Sequence, residues 1–145
     1  MFLVDALGRS GLRHVSALHE QGAGAMALGY AMATGRLGVC LTISGPGATN
    51  AITPCLAAWT DSVPVLFISG QARTGTLGGP AGLRAHGLQP CDIIPMVKTI
   101  TKFHYEAFEA DFCLTALDEM IFQCLSGRRG PCWLSVPQDV QAVEL

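Results

Sequence analysis

His19-Glu20-Gln21-Gly22-Ala23-Gly24 and, one strand–helix unit later, Ser44-Gly45-Pro46-Gly47-Ala48-Thr49-Asn50 are the two segments around which the rest of the chain organises itself. The first places a carboxylate where an extended segment turns into a helix of small residues. The second places a glycine-rich turn after an apolar strand, again opening a helix. Two such loops at one edge of a parallel sheet form half of a cofactor crevice, because open α/β sheets bind ligands beyond the carboxyl ends of their strands.

Strand-like and helix-like segments alternate on either side of these loops. Leu12–Leu18 alternates well enough for a strand ending at His19. Residues 21–34 are small or apolar nearly all round and read as a buried, closely packed helix stopped by Gly35. Leu37–Ile43 is a continuous apolar run, which predicts a central parallel strand buried on both faces. A helix over 48–59, broken or bent near Pro54, leads through an Asp61-Ser62 turn into a strand at Pro64–Ile68 that ends in Ser69-Gly70-Gln71.

Residues 72–90 are rich in glycine and read as a long loop, and a connection of that length is more often functional than ornamental. Beyond it the sequence predicts a short helix from an Asp92 cap to Val97 and a strand at Thr99–Tyr105. A helix then runs from an Asp111 cap to Ser126, with Leu114, Leu117, Ile121, Phe122 and Leu125 on its apolar side. Cys132–Val136 forms the last strand, ended by Pro137. This succession implies βαβ units in one domain over 1–145: an α/β, three-layer α/β/α sandwich around a mostly parallel sheet. Met1–Leu7 reads as a helix with no cap or preceding strand. It is either an ordinary N-terminal helix or the sign that a first strand and turn are missing.

Only 14% of the residues are charged and the net charge is −2, which leaves no electrostatic footprint for nucleic acid or an anionic membrane. Every apolar run is interrupted before the length of a membrane span, and no basic segment precedes an apolar stretch at the N-terminus. The expected location is the cytoplasm. Cys40, Cys55, Cys91, Cys113, Cys124 and Cys132 are irregularly spaced and read as buried structural thiols. The four histidines lack metal-ligand spacing, so no metal site is assigned. With 17 glycines and so few charges, the chain is expected to bury a face against another domain or subunit.

The combination of His19-Glu20-Gln21-Gly22-Ala23, Ser44–Asn50 and Ser69-Gly70-Gln71 resembles the pyrimidine-binding domain of thiamine-diphosphate-dependent enzymes, most closely the acetolactate synthase-like group. Asp61–Val65, Thr101-Lys102 and the closing Gly130-Pro131 and Val136–Val140 extend the resemblance over the whole chain. It implies that Glu20 hydrogen-bonds N1′ of the aminopyrimidine and so activates the cofactor. It implies that Gly45, Pro46 and Asn50 meet the ring, and that Leu88, Gln89 and Lys102 face the substrate, Gln89 with a catalytic part. Without the resemblance, Glu20 reads as a first-turn acid favoured by the helix dipole, Asn50 as a first-turn helix residue, and Lys102 as a structural lysine.

In that family the diphosphate and Mg²⁺ are held by a separate domain with a Gly-Asp-Gly…Asn signature that this chain does not contain. The resemblance therefore implies one part of a larger transferase or lyase acting on 2-oxo acids, by carboligation or decarboxylation, inactive alone. It further implies branched-chain amino acid biosynthesis, a homodimeric or homotetrameric parent and a first strand that should precede this chain. Flavin (FAD) in the parent stays open. Two departures concern the substrate: Leu88 stands where the group carries an aromatic residue, and Pro90 where an acid often follows. Two alternatives remain, a separately encoded subunit of a split 2-oxo acid decarboxylase and a non-catalytic interaction domain. A dinucleotide site is disfavoured, because Gly45-x-Gly47-x-x-Asn50 lacks the third glycine.

Overall fold

Four strands pair in the order β1-β2-β4-β3, with β1 at Gly38–Thr42, β2 at Val65–Gln71, β3 at Phe103–Glu106 and β4 at Cys132–Pro137. Every pair is parallel, so all strands point their carboxyl ends at one edge. This is a computed structural model that describes residues 2–80 and 82–144; Met1, Ala81 and Leu145 lie outside the described residues. Parallel strands need crossovers, and the helices supply them. They are α1 (Phe2–Arg9), α2 (Glu20–Thr34), α3 (Pro46–Asn50), α4 (Ile52–Thr60), α5 (Ile93–Val97) and α6 (Ala110–Leu125). No described helix is long and apolar enough to cross a membrane.

Two cores flank the sheet and confirm the three-layer sandwich. On one face Ala27 and Ala31 of α2, Cys55 and Ala58 of α4 and Ile93 and Val97 of α5 pack on Cys40, Val65, Phe67 and Trp133. On the other, Met120 and Cys124 of α6 pack on Leu66, Cys132, Leu134 and Val136, and Leu3 of α1 reaches the same cluster. Close approach at the first interface depends on two glycines. A Cβ at Gly24 would overlap the Pro54 ring, and one at Gly38 would overlap the Ala27 carbonyl oxygen.

Several expectations are corrected. Leu12–Leu18 forms no strand: it finds no ladder partner, and its side chains are mostly exposed. Without that neighbour, β1 is an edge strand and not a central one, and Val39 is 54% exposed. The helix α2 begins and stops as expected, with Gly35 at φ 69° donating to the Ala31 carbonyl, but only Gly24, Ala27 and Ala31 of it are buried. Met26, Tyr30 and Met32 leave an apolar outer surface. The helix expected to be broken or bent near Pro54 is broken at Ala51, and Pro54 lies in the first turn of α4, where a missing N–H costs nothing.

Asp92 precedes α5 and Asp111 lies in the first turn of α6, yet neither helix has a side-chain cap. The buried stripe of α6 is Ala116, Met120 and Cys124, an i, i+4, i+8 row. Leu117 and Ile121 flank it half-buried, while Leu114, Phe122 and Leu125 face outward. The strand expected from Thr99 begins at Phe103. Cys40, Cys55, Cys124 and Cys132 are buried and all six thiols are free.

Candidate functional site

Glu20 opens α2, and its place there is set by His19, whose Nδ1 accepts from the Gln21 backbone N–H at 3.2 Å. Its carboxylate stands between two helix starts. Asn50, at the end of α3, donates from Nδ2 to Glu20 Oε2 at 3.1 Å. The other oxygen, Oε1, lies over Gly47, where a Cβ would be 3.1 Å away and would also overlap Ile43. The hydrogen bond from Asn50, aided by Glu20's own backbone, holds the carboxyl below its ordinary range. Beneath it, the Cys40 thiol is pushed up to about 12, first by burial and then by the Glu20 charge.

The glycine turn closes the crevice from the side. Gly45 takes φ 60° and ψ −125°, which glycine alone adopts readily, and Pro46 starts α3. A Cβ at Gly45 would lie 2.7 Å from the Gln89 carbonyl oxygen and 2.9 Å from its Cβ. Gln89, itself at φ 51°, therefore lies against the turn, and the long loop meets the Glu20 side of the molecule at this point. Leu88 beside it is 83% exposed.

Of the residues singled out in the sequence, Glu20, Gly45, Pro46, Asn50 and Gln89 come together. Lys102 does not. It precedes β3 at the opposite edge of the sheet, and its Nζ donates to the carbonyls of Gln123 and Ser126, at 2.7 Å for the latter. These two bonds cap the C-terminal end of α6.

The register joins Ser69 and Gln71 of the Ser69-Gly70-Gln71 motif to Thr42, Ser135 and Glu106, which sequence reasoning missed. Thr42, Ser69, Ser135 and Glu106 are consecutive Cα partners across all four strands, on the face that carries Phe67 and Trp133. Trp133 Nε1 donates to Ser69 Oγ at 3.0 Å, and Ser135 Oγ donates to Glu106 Oε1 at 3.3 Å. Gln71 Nε2 donates to the same Glu106 oxygen at 3.1 Å. The Thr42 hydroxyl, buried at the β1 end of this row, has no hydrogen-bond partner among the described residues. One signal was available: an acid in the strand-like Phe103–Glu106, where acids are depleted.

Known proteins are similar to this chain over most of its length. Residues 1–96 match the family model described as thiamine pyrophosphate enzyme, N-terminal TPP binding domain. The acetolactate synthase large subunit of Corynebacterium glutamicum is 43% identical over 134 residues, covering 92% of this chain and 20% of that protein. That of Lactococcus lactis is 37% identical over 144 residues, 99% of this chain and 24% of the relative. The Escherichia coli acetolactate synthase isozyme 2 large subunit is 38% identical over 141 residues, 97% of this chain and 25% of its own length. The chain thus spans a fifth to a quarter of these relatives.

Proposed function

We propose, since the chain belongs to the thiamine pyrophosphate enzyme N-terminal TPP-binding domain family, that it provides the pyrimidine half of a thiamine diphosphate site with Glu20 as the acid–base residue. The observation that carries this is the fixed Glu20 carboxylate, with one oxygen held by Asn50 and the other over the bare Cα of Gly47. The residues fit the group. A flat ring needs a wall without side chains, and Gly45-Pro46-Gly47 offers one. It also needs a polar partner in a crevice, and the Glu20 carboxylate is one. The buried Thr42 hydroxyl leaves a further polar atom to satisfy.

When bound, the cofactor supplies the carbanion chemistry by which 2-oxo acids are cleaved, decarboxylated or joined. The protein's own part is proton control. Glu20 holds a proton at ring nitrogen N1′, with its carboxylate pinned so that this hydrogen bond keeps one direction. Asn50 keeps Glu20 ionised between turnovers and fixes its orientation. Gln89, resting on Gly45, brings the long loop to the substrate side. The same reading places the diphosphate and Mg²⁺ on a domain outside this chain. It makes the parent an oligomeric, acetolactate synthase-like enzyme of the cytoplasm, in branched-chain amino acid biosynthesis, with FAD as a further group for it to carry.

Two measurements test this. Glu20→Gln in the native-length product should slow exchange of the cofactor's C2 proton by about a hundredfold or more, with thiamine diphosphate binding followed separately. Unchanged exchange overturns the role of Glu20. Intact mass of the native product decides the setting. A species far above 15.2 kDa places this unit inside a larger enzyme, and one at 15.2 kDa points to a partner subunit that brings the diphosphate domain.

A further inference from the structure

We propose that Gln71 is a positioning residue for the substrate side of the crevice: its buried side-chain amide grips Cys91 and, through Pro90, sets Gln89 against the glycine turn. The inference deepens the thiamine reading and rests on it, since Gln89 meets a substrate there only when the crevice holds the cofactor.

Gln89 is the residue that needs an anchor. It takes φ 51°, a left-handed conformation that is costly for a residue with a Cβ. It does so directly before Pro90, and a proline favours extended backbone in the residue ahead of it. Its side chain is exposed, so burial does not hold it. Such a conformation persists where the surroundings over-determine it. Gly45 supplies one side, by its close approach to the Gln89 carbonyl oxygen and Cβ.

Gln71 supplies the other. It ends β2 and is 5% exposed. Its Nε2 donates to the Cys91 carbonyl oxygen, and its Oε1 accepts from the Cys91 backbone N–H at 3.4 Å. The amide thus pairs with Cys91 much as a neighbouring strand would. The same Oε1 accepts from the Ala72 N–H at 2.9 Å, and Nε2 also donates to Glu106 Oε1 at 3.1 Å. Both hydrogens and both lone pairs of the amide are then in use. Glu106 Oε1, which accepts from Ser135 as well, faces the NH₂ end and so fixes which way round the amide lies. One side chain at the end of a buried strand therefore ties together Ala72, where the long loop departs, and Cys91, where it returns. Pro90 transmits the grip, because its ring fixes φ between Cys91 and Gln89.

The test uses the native-length product with thiamine diphosphate and Mg²⁺, and pyruvate as the 2-oxo acid probe. Gln71→Met keeps the length of the side chain and removes its hydrogen bonds. It should raise the KM for pyruvate about tenfold, the scale of one lost hydrogen bond to a charged group, while exchange of the cofactor's C2 proton keeps its rate. Pro90→Gly breaks the link without touching the buried amide and should raise KM likewise, which decides the matter even where Gln71→Met does not fold. Gln71→Met added to Gln89→Ala should raise KM no further, because the two act as one unit. An unchanged KM in a folded Gln71→Met or in Pro90→Gly overturns the proposal, as do additive losses in the double variant or a C2 exchange that slows in step with KM. Pyruvate left unused by a product whose exchange responds to Glu20→Gln overturns it too. Exchange that ignores Glu20→Gln instead fails the thiamine reading, and this inference falls with it.

Discussion

Asn50 Nδ2 donates to Glu20 Oε2 at 3.1 Å, so the last residue of α3 fixes the first residue of α2 across 30 positions of sequence. Asn50→Ala should return the Glu20 carboxyl toward its ordinary range, and Asn50→Asp should drive it above that range by like-charge repulsion. Titration of the Glu20 side-chain carbon by NMR reads both shifts directly. In the native-length product the alanine variant should slow cofactor C2-proton exchange by about tenfold. Identical titrations in both variants would show that Asn50 does not govern Glu20.

Gly47→Ala places a methyl group onto Ile43 and against Glu20 Oε1. Ile43 or the start of α3 must shift. The expected cost is about 1–3 kcal/mol of stability, as for other overpacked sites. Binding of the pyrimidine half should fall further than stability alone accounts for, because the carboxylate is pushed off its position. Chemical denaturation alongside thiamine diphosphate titration separates the two effects.

Glu106 should be a stability–pH switch of defined sign. Its folded-state carboxyl is raised by burial. Its contribution to stability is therefore fully present below the unfolded-state value and lost as pH rises through the folded-state value. Glu106→Gln should stabilise the chain at neutral pH by up to about 1 kcal/mol, with the gain vanishing in acid. Thermal melts from acid to neutral pH check this, and a pH-independent difference would contradict it.

Lys102→Met removes two hydrogen bonds to the end of α6. The helix C-terminus then loses both donors and a favourable charge, a cost of about 1–2 kcal/mol. Binding of thiamine diphosphate by the native-length product should stay unchanged. A variant of normal stability with impaired substrate use would instead restore Lys102 to the substrate side.

The outer edge of β1 has no ladder partner among the described residues, and Val39 on it is largely exposed. Such an edge templates pairing between chains. The isolated chain should therefore self-associate as concentration rises, and Val39→Lys should shift it toward monomer in sedimentation velocity. A sharp, reversible, concentration-independent melt would argue against the exposed edge as a contact surface.

Most of the architecture was legible because local signals agreed with it. Gly35 stops α2 and the apolar Val65–Ile68 segment is a buried strand, whereas α2, expected to be buried nearly all round, buries only Gly24, Ala27 and Ala31. What failed depended on partners distant in sequence. Leu12–Leu18 has the alternation of a strand but no neighbour to pair with, and the same missing neighbour turns β1 from centre to edge. The α6 stripe failed differently, since Leu114 and Phe122 are more apolar than Ala116 but lie on the outer side. Glu20, Gly45 and Asn50 were legible as motif residues, whereas the row from Thr42 to Glu106 exists only through strand register.

Trp133 lies one rung below that polar row, fully buried, with its ring stacked on Phe67 at a centroid distance of 5.2 Å and its N–H on Ser69. The other tryptophan, Trp59, is 38% exposed. The chain consequently carries two fluorophores with separable optical behaviour. Emission from Trp133 should be blue and shielded from iodide, and that from Trp59 red-shifted and quenchable. Because the indole of Trp133 is tied to the Ser69 hydroxyl of that row, its emission offers an intrinsic, label-free readout of events at the carboxyl edge of the sheet.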